Sequence, residues 1–333
     1  MKSQTTYWAV LFAIVAPAAS QAGDIFGHTG LTGGSRWDAA PRTISGNERS
    51  LSGGLRFSLE GGSYLAFRDM FAWSSLPTVA SFQLAVEQAF GAWQSVDPAS
   101  SLGSNLNFVA DLGTAVVGTG AFGGVNINGA EIDVFGTDAG DAGTRGVTAF
   151  NAIGSNVQLT SGTPSYPGSF AISGADIYLN SNGGALYTLD LFRRLLTHEI
   201  GHAIGLGDVE NANTSAQFID DNYNGSTSAT ALATLTNSWA ALVNVLNPAA
   251  SPLALYIVPD ADPGIDTPGV DILMESNGLG ISAGNPVTAL VPLRNDDYGT
   301  RQFLYPFVPE PSVALLLGLG GAGLLGRRGV RFR

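Results

Sequence analysis

The chain has no cysteine. That excludes disulfides and a thiolate nucleophile. Histidine is nearly as scarce, with three in 333 residues, and methionine also numbers three. Any chemistry that needs imidazole therefore rests on very few positions. Charge is sparse as well: Asp, Glu, Lys and Arg make up 13% of the residues, with 27 acids against 15 bases and a formal net charge of −12. Such a surface repels phosphates, and no basic patch offsets it, so nucleic acid is excluded as a partner. A Gly-rich stretch precedes Glu131, but it carries no phosphate-loop pattern.

The two ends read as sorting signals. Lys2 precedes an apolar run from Tyr7 to Ala16, and Ser20-Gln21-Ala22 puts small residues at a cleavage position. This is the pattern of a secretory leader, cut by signal peptidase after Ala22. At the other end, Val308-Pro309-Glu310-Pro311 is followed by an apolar run from Val313 to Leu325, then Arg327, Arg328, Arg331 and Arg333. The run is shorter than the roughly 20 residues of a permanent bilayer span, and the arginines would hold the tail on the cytoplasmic side. The pattern resembles the PEP-CTERM tail of Gram-negative bacteria. The resemblance implies an exosortase-type partner, cleavage near Pro-Glu-Pro, and delivery to the cell surface or an extracellular matrix. A plain tail anchor is the alternative. The leader carries one positive charge and the tail a net three, so without both the chain stands at about −16. The division expected is a leader over 1–22, one catalytic domain over 23–307, and a sorting tail over 308–333.

The domain centres on His198-Glu199-Ile200-Gly201-His202-Ala203-Ile204-Gly205-Leu206-Gly207-Asp208. Residues four apart share a helix face, so His198 and His202 can point two imidazoles at one ion. Glu199 sits where its carboxylate reaches a metal-bound water without binding the metal. Two histidines satisfied by hydrogen bonds are the plain reading. However, H-E-x-x-H alone arises in roughly one chain in twenty-five of this length, and the added Gly and Asp at fixed offsets make chance far rarer. Gly205 can take a backbone conformation closed to other residues, ending the helix and turning Asp208 back as a third ligand. Glu210 is the other candidate for that place. His28 reads as a solvated loop histidine, with a ligand from a latent N-terminal segment as the alternative.

H-E-x-x-H-x-x-G-x-x-Asp resembles the signature of the metzincin metalloproteases. The family also has a methionine turn, which Asp271-Ile272-Leu273-Met274-Glu275-Ser276 would supply through Met274. The order of elements is similar to the matrixin-like members, from about Trp37 to Leu304, closing with Asn295-Asp296-Asp297-Tyr298-Gly299. The resemblance implies an α+β fold: a twisted mixed β-sheet, a long zinc-binding helix beneath it, and an irregular C-terminal subdomain with the Met turn. It implies zinc held by His198, His202 and Asp208, Glu199 as general base, and a protein or peptide substrate bound along an edge strand, here Ile172–Leu179. The chain departs from animal matrixins, which use a third His and a cysteine-switch propeptide. It also departs from astacin- and serralysin-like members, because Ser276 stands where they carry Tyr.

The rest of the chain fits around this centre. Gly23 to Gly54 reads as an extended leading segment. Leu55–Leu59, Leu106–Val109, Glu131–Phe135 and Ala171–Leu179 read as strands. Phe82, Val86, Phe90 and Trp93 mark a helix over 81–95, ended by Pro98. Thr188 can cap the active helix, with Leu189, Phe192, Leu195, Leu196, Ile200 and Ala203 as its buried stripe and Arg193 and Arg194 opposite. Thr227–Leu246 reads as another helix. Asp220, Asn222 and Asn224 begin a D-x-N-x-N-G run, but Ala231 stands where an EF-hand needs Glu. The run reads as a polar turn, with a calcium-holding turn as the alternative. Asp138–Asp141 and Asp260–Asp266 are weaker cases.

The resemblance implies a secreted zinc endopeptidase. The alternative is a catalytically inactive surface or matrix protein on a metzincin scaffold, against which the intact Glu199 argues. A zinc hydrolase acting on a non-peptide bond is a third reading.

Overall fold

A computed structural model of the chain describes residues 34–96, 103–119, 123–154, 157, 169–208, 273–274, 293 and 295–305. The leader, the tail, His28, Glu210, Asp220, Asn222, Asn224, Ser276, the helix expected over 227–246 and Asp260–Asp266 lie outside the described residues.

The fold is mixed α/β around a mostly parallel six-stranded sheet. In chain order come β1 (Gly34–Arg36), β2 (Thr43–Ile44), β3 (Asn47–Glu48), β4 (Leu55–Leu59), α1 (Tyr64–Arg68), α2 (Val79–Gln94), β5 (Phe108–Ala110), β6 (Ile132–Thr137), β7 (Gly146–Gly154), β8 (Ser169–Asn180), α3 (Leu189–Ala203) and α4 (Asn295–Leu304). β4 runs parallel to both β5 and β6, and β6 runs parallel to β8. β7 is the exception, pairing antiparallel with β8 from Gly146↔Leu179 to Gly154↔Phe170.

This pairing corrects the expected substrate edge. Ala171 pairs with Arg36 on one side and Ile153 on the other, and Ala175 pairs with Ile132 and Phe150. Both edges of β8 are therefore used, and Ile172–Leu179 is interior. Beside β8 the free edge is that of β7, which among the described residues pairs only with β8; β5 is likewise terminal at the far side of the sheet. The β8 sequence identifies a strand, but its neighbours come from far along the chain.

One face of the sheet carries Leu55, Phe57, Leu59, Ile132, Val134, Ala175, Ile177 and Leu179 into a core shared with α2 and α3. An aromatic cluster seals its end, with Phe71–Phe192 centroids 5.2 Å apart and Phe82–Phe192 5.0 Å apart. Such pairs add about 0.5–1.5 kcal/mol each beyond their burial. Thr78 and Thr188 cap α2 and α3 by accepting from Ser81 N and Leu191 N. The leading segment is more than an extended arm. β1 joins the sheet, Arg36 and Trp37 are buried, and Ser45-Gly46 turn the β2–β3 hairpin with positive φ at both residues.

Arg193 and Arg194 do not line a solvent face. From Phe192 to Ala203 only Arg193 escapes full burial, because the sheet, α2 and the C-terminal residues enclose α3. Arg193 bonds Gln88 of α2, and Arg194 lies against Asp190. Among the described residues no helix is long and apolar enough to cross a membrane.

The opposite face of the sheet buries two carboxyls side by side, Asp133 and Asp176, which are register partners. Residues 117–119 and 123–130 lie over them. Val117 N and Ala130 N donate to Asp133, and Asn126 N donates to Asp176. Arg49 is buried beside Glu131 and donates to the carbonyls of Ile127, Gly129 and Ala130. Burial pushes Asp133 up to about 6 and Asp176 up to about 8. The folded chain thus keeps protons that the unfolded chain releases near pH 4. The stability this contributes is complete below pH 4 and drains away as pH rises through 6 and then 8. Asp176→Asn should therefore melt like the parent near pH 4 and about 5 °C above it at pH 8 in chelator-treated protein. An equal difference at both pH values would refute this.

Candidate metal centre

Helix α3 delivers the first two ligands. The Leu189–Ala203 helix brings His198 and His202 onto one face, with ring centroids 4.7 Å apart at 89°. A Schellman turn then ends the helix: Leu206 N donates to Gly201 O at 3.0 Å, and Gly205 N to His202 O at 2.9 Å. Gly205 sits at φ +101, and a Cβ there would land on the carbonyl oxygen of Ser35 in β1. Only glycine meets both demands. Three residues later Asp208 reaches the histidines.

The three side chains converge closely. His198 Nε2 to Asp208 Oδ1 is 3.0 Å, His202 Nε2 to Asp208 Oδ1 is 3.1 Å, and the two Nε2 atoms are 3.1 Å apart. All three residues are buried. His198 Nδ1 faces Leu273 O at 2.7 Å, and His202 Nδ1 faces Leu206 O at 2.9 Å. A carbonyl can only accept, so each Nδ1 carries the ring hydrogen and each neutral ring presents a bare Nε2 lone pair. Asp208 Oδ1 is buried and accepts no hydrogen bond. Three lone pairs in contact are tolerable only around positive charge. A tetrahedral ion with bonds of about 2.0–2.1 Å has ligand edges of about 3.3 Å, within about 0.3 Å of these. The residues fit a metal ion, and among the described residues they are the group that could hold one.

The ionisations express the same demand. Burial pulls His198 down, but the Asp208 carboxylate outweighs it and lifts the ring to about 9. His202 moves up by the same balance. Burial pushes Asp208 up, yet the two imidazoles hold it well below the usual carboxylate range. Glu199 is raised, chiefly by burial.

Supporting residues come from further away. Met274 is buried against Gly201, where a Cβ would overlap its Sδ and stand 2.8 Å from Trp93 Cζ2. Asp297 of α4 accepts from Leu273 N at 3.1 Å and Met274 N at 3.3 Å. It thereby fixes the carbonyl that orients His198. Trp93 Nε1 donates to Thr197 O at 2.8 Å, tying α2 to α3. On β7, Thr148 Oγ1 lies 2.7 Å from Glu199 Oε2. The sequence pointed to His198, Glu199, His202, Asp208 and Met274, and the fold brings them together. It gave no sign of Thr148 or Gly146, because Gly-Val-Thr-Ala-Phe-Asn has no motif and its place beside α3 is set by sheet pairing.

Asp138 and Asp141 are engaged in turns. Asp138 Oδ1 accepts from Gly140 N and Asn182 Nδ2, and Asp141 Oδ1 accepts from Gly143 N and Thr144 N.

No protein-family model matches the chain, and no curated protein matches it.

Proposed function

We propose that the chain is a zinc-dependent endopeptidase of metzincin type. The observation that carries this is the meeting of His198 Nε2, His202 Nε2 and Asp208 Oδ1 with both Nδ1 hydrogens committed to carbonyls. These three residues would hold the zinc, with Met274 packed beneath. A zinc ion there supplies a Lewis acid that acidifies a water and polarises a carbonyl.

The chain's own groups do the rest. Glu199 takes a proton from the attacking water onto its carboxylate and hands it to the leaving amine, so the peptide bond breaks as the water oxygen joins the carbonyl carbon. Burial raises the basicity of Glu199. β7, which has a free edge, lies beside Glu199, with Thr148 Oγ1 2.7 Å from Oε2. An extended peptide adding to that edge would bring its backbone to the carboxylate, which favours protein over a small-molecule substrate. The leader and tail patterns support export from a Gram-negative cell, with signal peptidase and an exosortase-type enzyme as processing partners.

The test is zinc stoichiometry together with cleavage. The full chain should bind about one zinc, degrade unfolded casein, lose activity to a chelator and regain it with zinc. Zinc bound without any cleavage would favour the inactive-scaffold reading instead. A chain that binds no zinc would refute both the site and the function.

A further inference from the structure

The work of Glu199 depends on where its two oxygens sit, and β7 holds them from two sides. Gly146 and Thr148 are two apart on the strand, so they share one face. Their register partners Leu179 and Ile177 belong to the core that α3 packs against. Gly146 offers only hydrogen there: a Cβ would come 2.5 Å from Glu199 Oε1 and 3.0 Å from Cδ. Thr148 Oγ1 lies 2.7 Å from Glu199 Oε2 and 3.0 Å from the Glu199 main-chain oxygen.

A hydroxyl has one proton and cannot serve both acceptors at once. Before the base acts, the proton goes to Oε2. When Glu199 takes a proton from water it does so on Oε1 and returns it from there to the amine, so Oε2 can keep accepting from the hydroxyl throughout. One contact thus fits both stages of the reaction without moving the Glu199 side chain. We propose that Thr148, in the space left by Gly146, is a positioning residue that fixes the Glu199 carboxylate for proton transfer. The assignment rests on the protease reading above.

The experiment compares the full chain with Thr148→Val and Thr148→Ser, each also made in a Glu199→Leu background. Valine keeps the β-branched shape that suits a strand and exchanges the hydroxyl for a methyl. Zinc should remain at about one per chain throughout. On casein, Thr148→Val should lose about 10-fold in kcat with KM unchanged within about twofold, and Thr148→Ser should recover to within about threefold of the parent. In chelator-treated protein, Thr148→Val should lower the melting temperature by about 4 °C with Glu199 present and about 1 °C with Leu there. Parental kcat in the valine variant, serine no better than valine, loss of zinc from the valine variant, or equal melting shifts in both backgrounds would each overturn the proposal. If the parent holds zinc and cleaves no protein, the protease reading falls. The melting cycle then decides alone: unequal shifts keep Thr148 as the anchor of Glu199, and equal shifts remove it.

Discussion

Gly205→Ala should lower the melting temperature of the chain by about 10 °C and weaken zinc binding about 100-fold. Two costs combine. An alanine forced to φ +101 is strained by about 1–2 kcal/mol. Its Cβ would also strike the Ser35 carbonyl oxygen, a main-chain atom of β1 paired with β8, so relief requires a strand to shift for about 1–3 kcal/mol more. The zinc loss follows from what the turn carries. Leu206 O orients His202, and Asp208 lies two residues beyond. Gly205→Asn discriminates between the two costs. Asparagine tolerates left-handed backbone better than alanine, but its Cβ meets the same oxygen. Near-complete rescue by asparagine would show that the clash with β1 is not what matters. Thermal melts and a zinc competition titration give both readings.

Glu199→Gln should cut casein turnover about 1,000-fold while leaving about one zinc per chain. Glutamine preserves the size of the side chain, and it keeps an oxygen to accept from Thr148. It cannot take a proton from water. Because Glu199 is not among the converging ligand atoms, zinc affinity should change less than about threefold. Loss of zinc and activity together would move Glu199 from base to ligand support. Unchanged turnover would leave the bond cleavage to some other group and remove the central claim of the mechanism.

The site was legible because its signals are local. Two histidines four apart, a glycine three further on and an aspartate after that are all consequences of helix pitch and turn geometry, which short sequence spacing encodes directly. The Thr188 cap and the burial of Met274 follow from similarly short-range or rare-residue signals. Position in the sheet was not legible. Ala-Asp-Ile-Tyr-Leu identifies a strand, but nothing in it tells that β7 takes one side and β1 and β6 the other. Charged residues misled for a related reason. Arg194 was placed opposite the buried stripe of α3 yet is buried, and nothing in the sequence marked Arg36 or Arg49 as interior. Arg36 is buried with Nη1 donating to Leu304 O, and Arg49 is caged by three carbonyls from 127–130. Asp133 and Asp176 alternate with apolar residues as outward positions do. Only the cover from residues 117–119 and 123–130 makes that outer face an interior.

The route by which His198 is aligned has a consequence for how the molecule comes into being. Its Nδ1 is met by Leu273 O, that carbonyl is steadied through Asp297, and Tyr305 donates to Ile204 O at the end of the same helix. A ribosome releases α3 well before it has polymerised any of these partners. A nascent chain should therefore carry both histidines for many seconds without the scaffold that aims them. On the protease reading proposed above, activity would then arrive late in synthesis, after α4 has docked, and a chain cut short before Asp297 should cleave nothing.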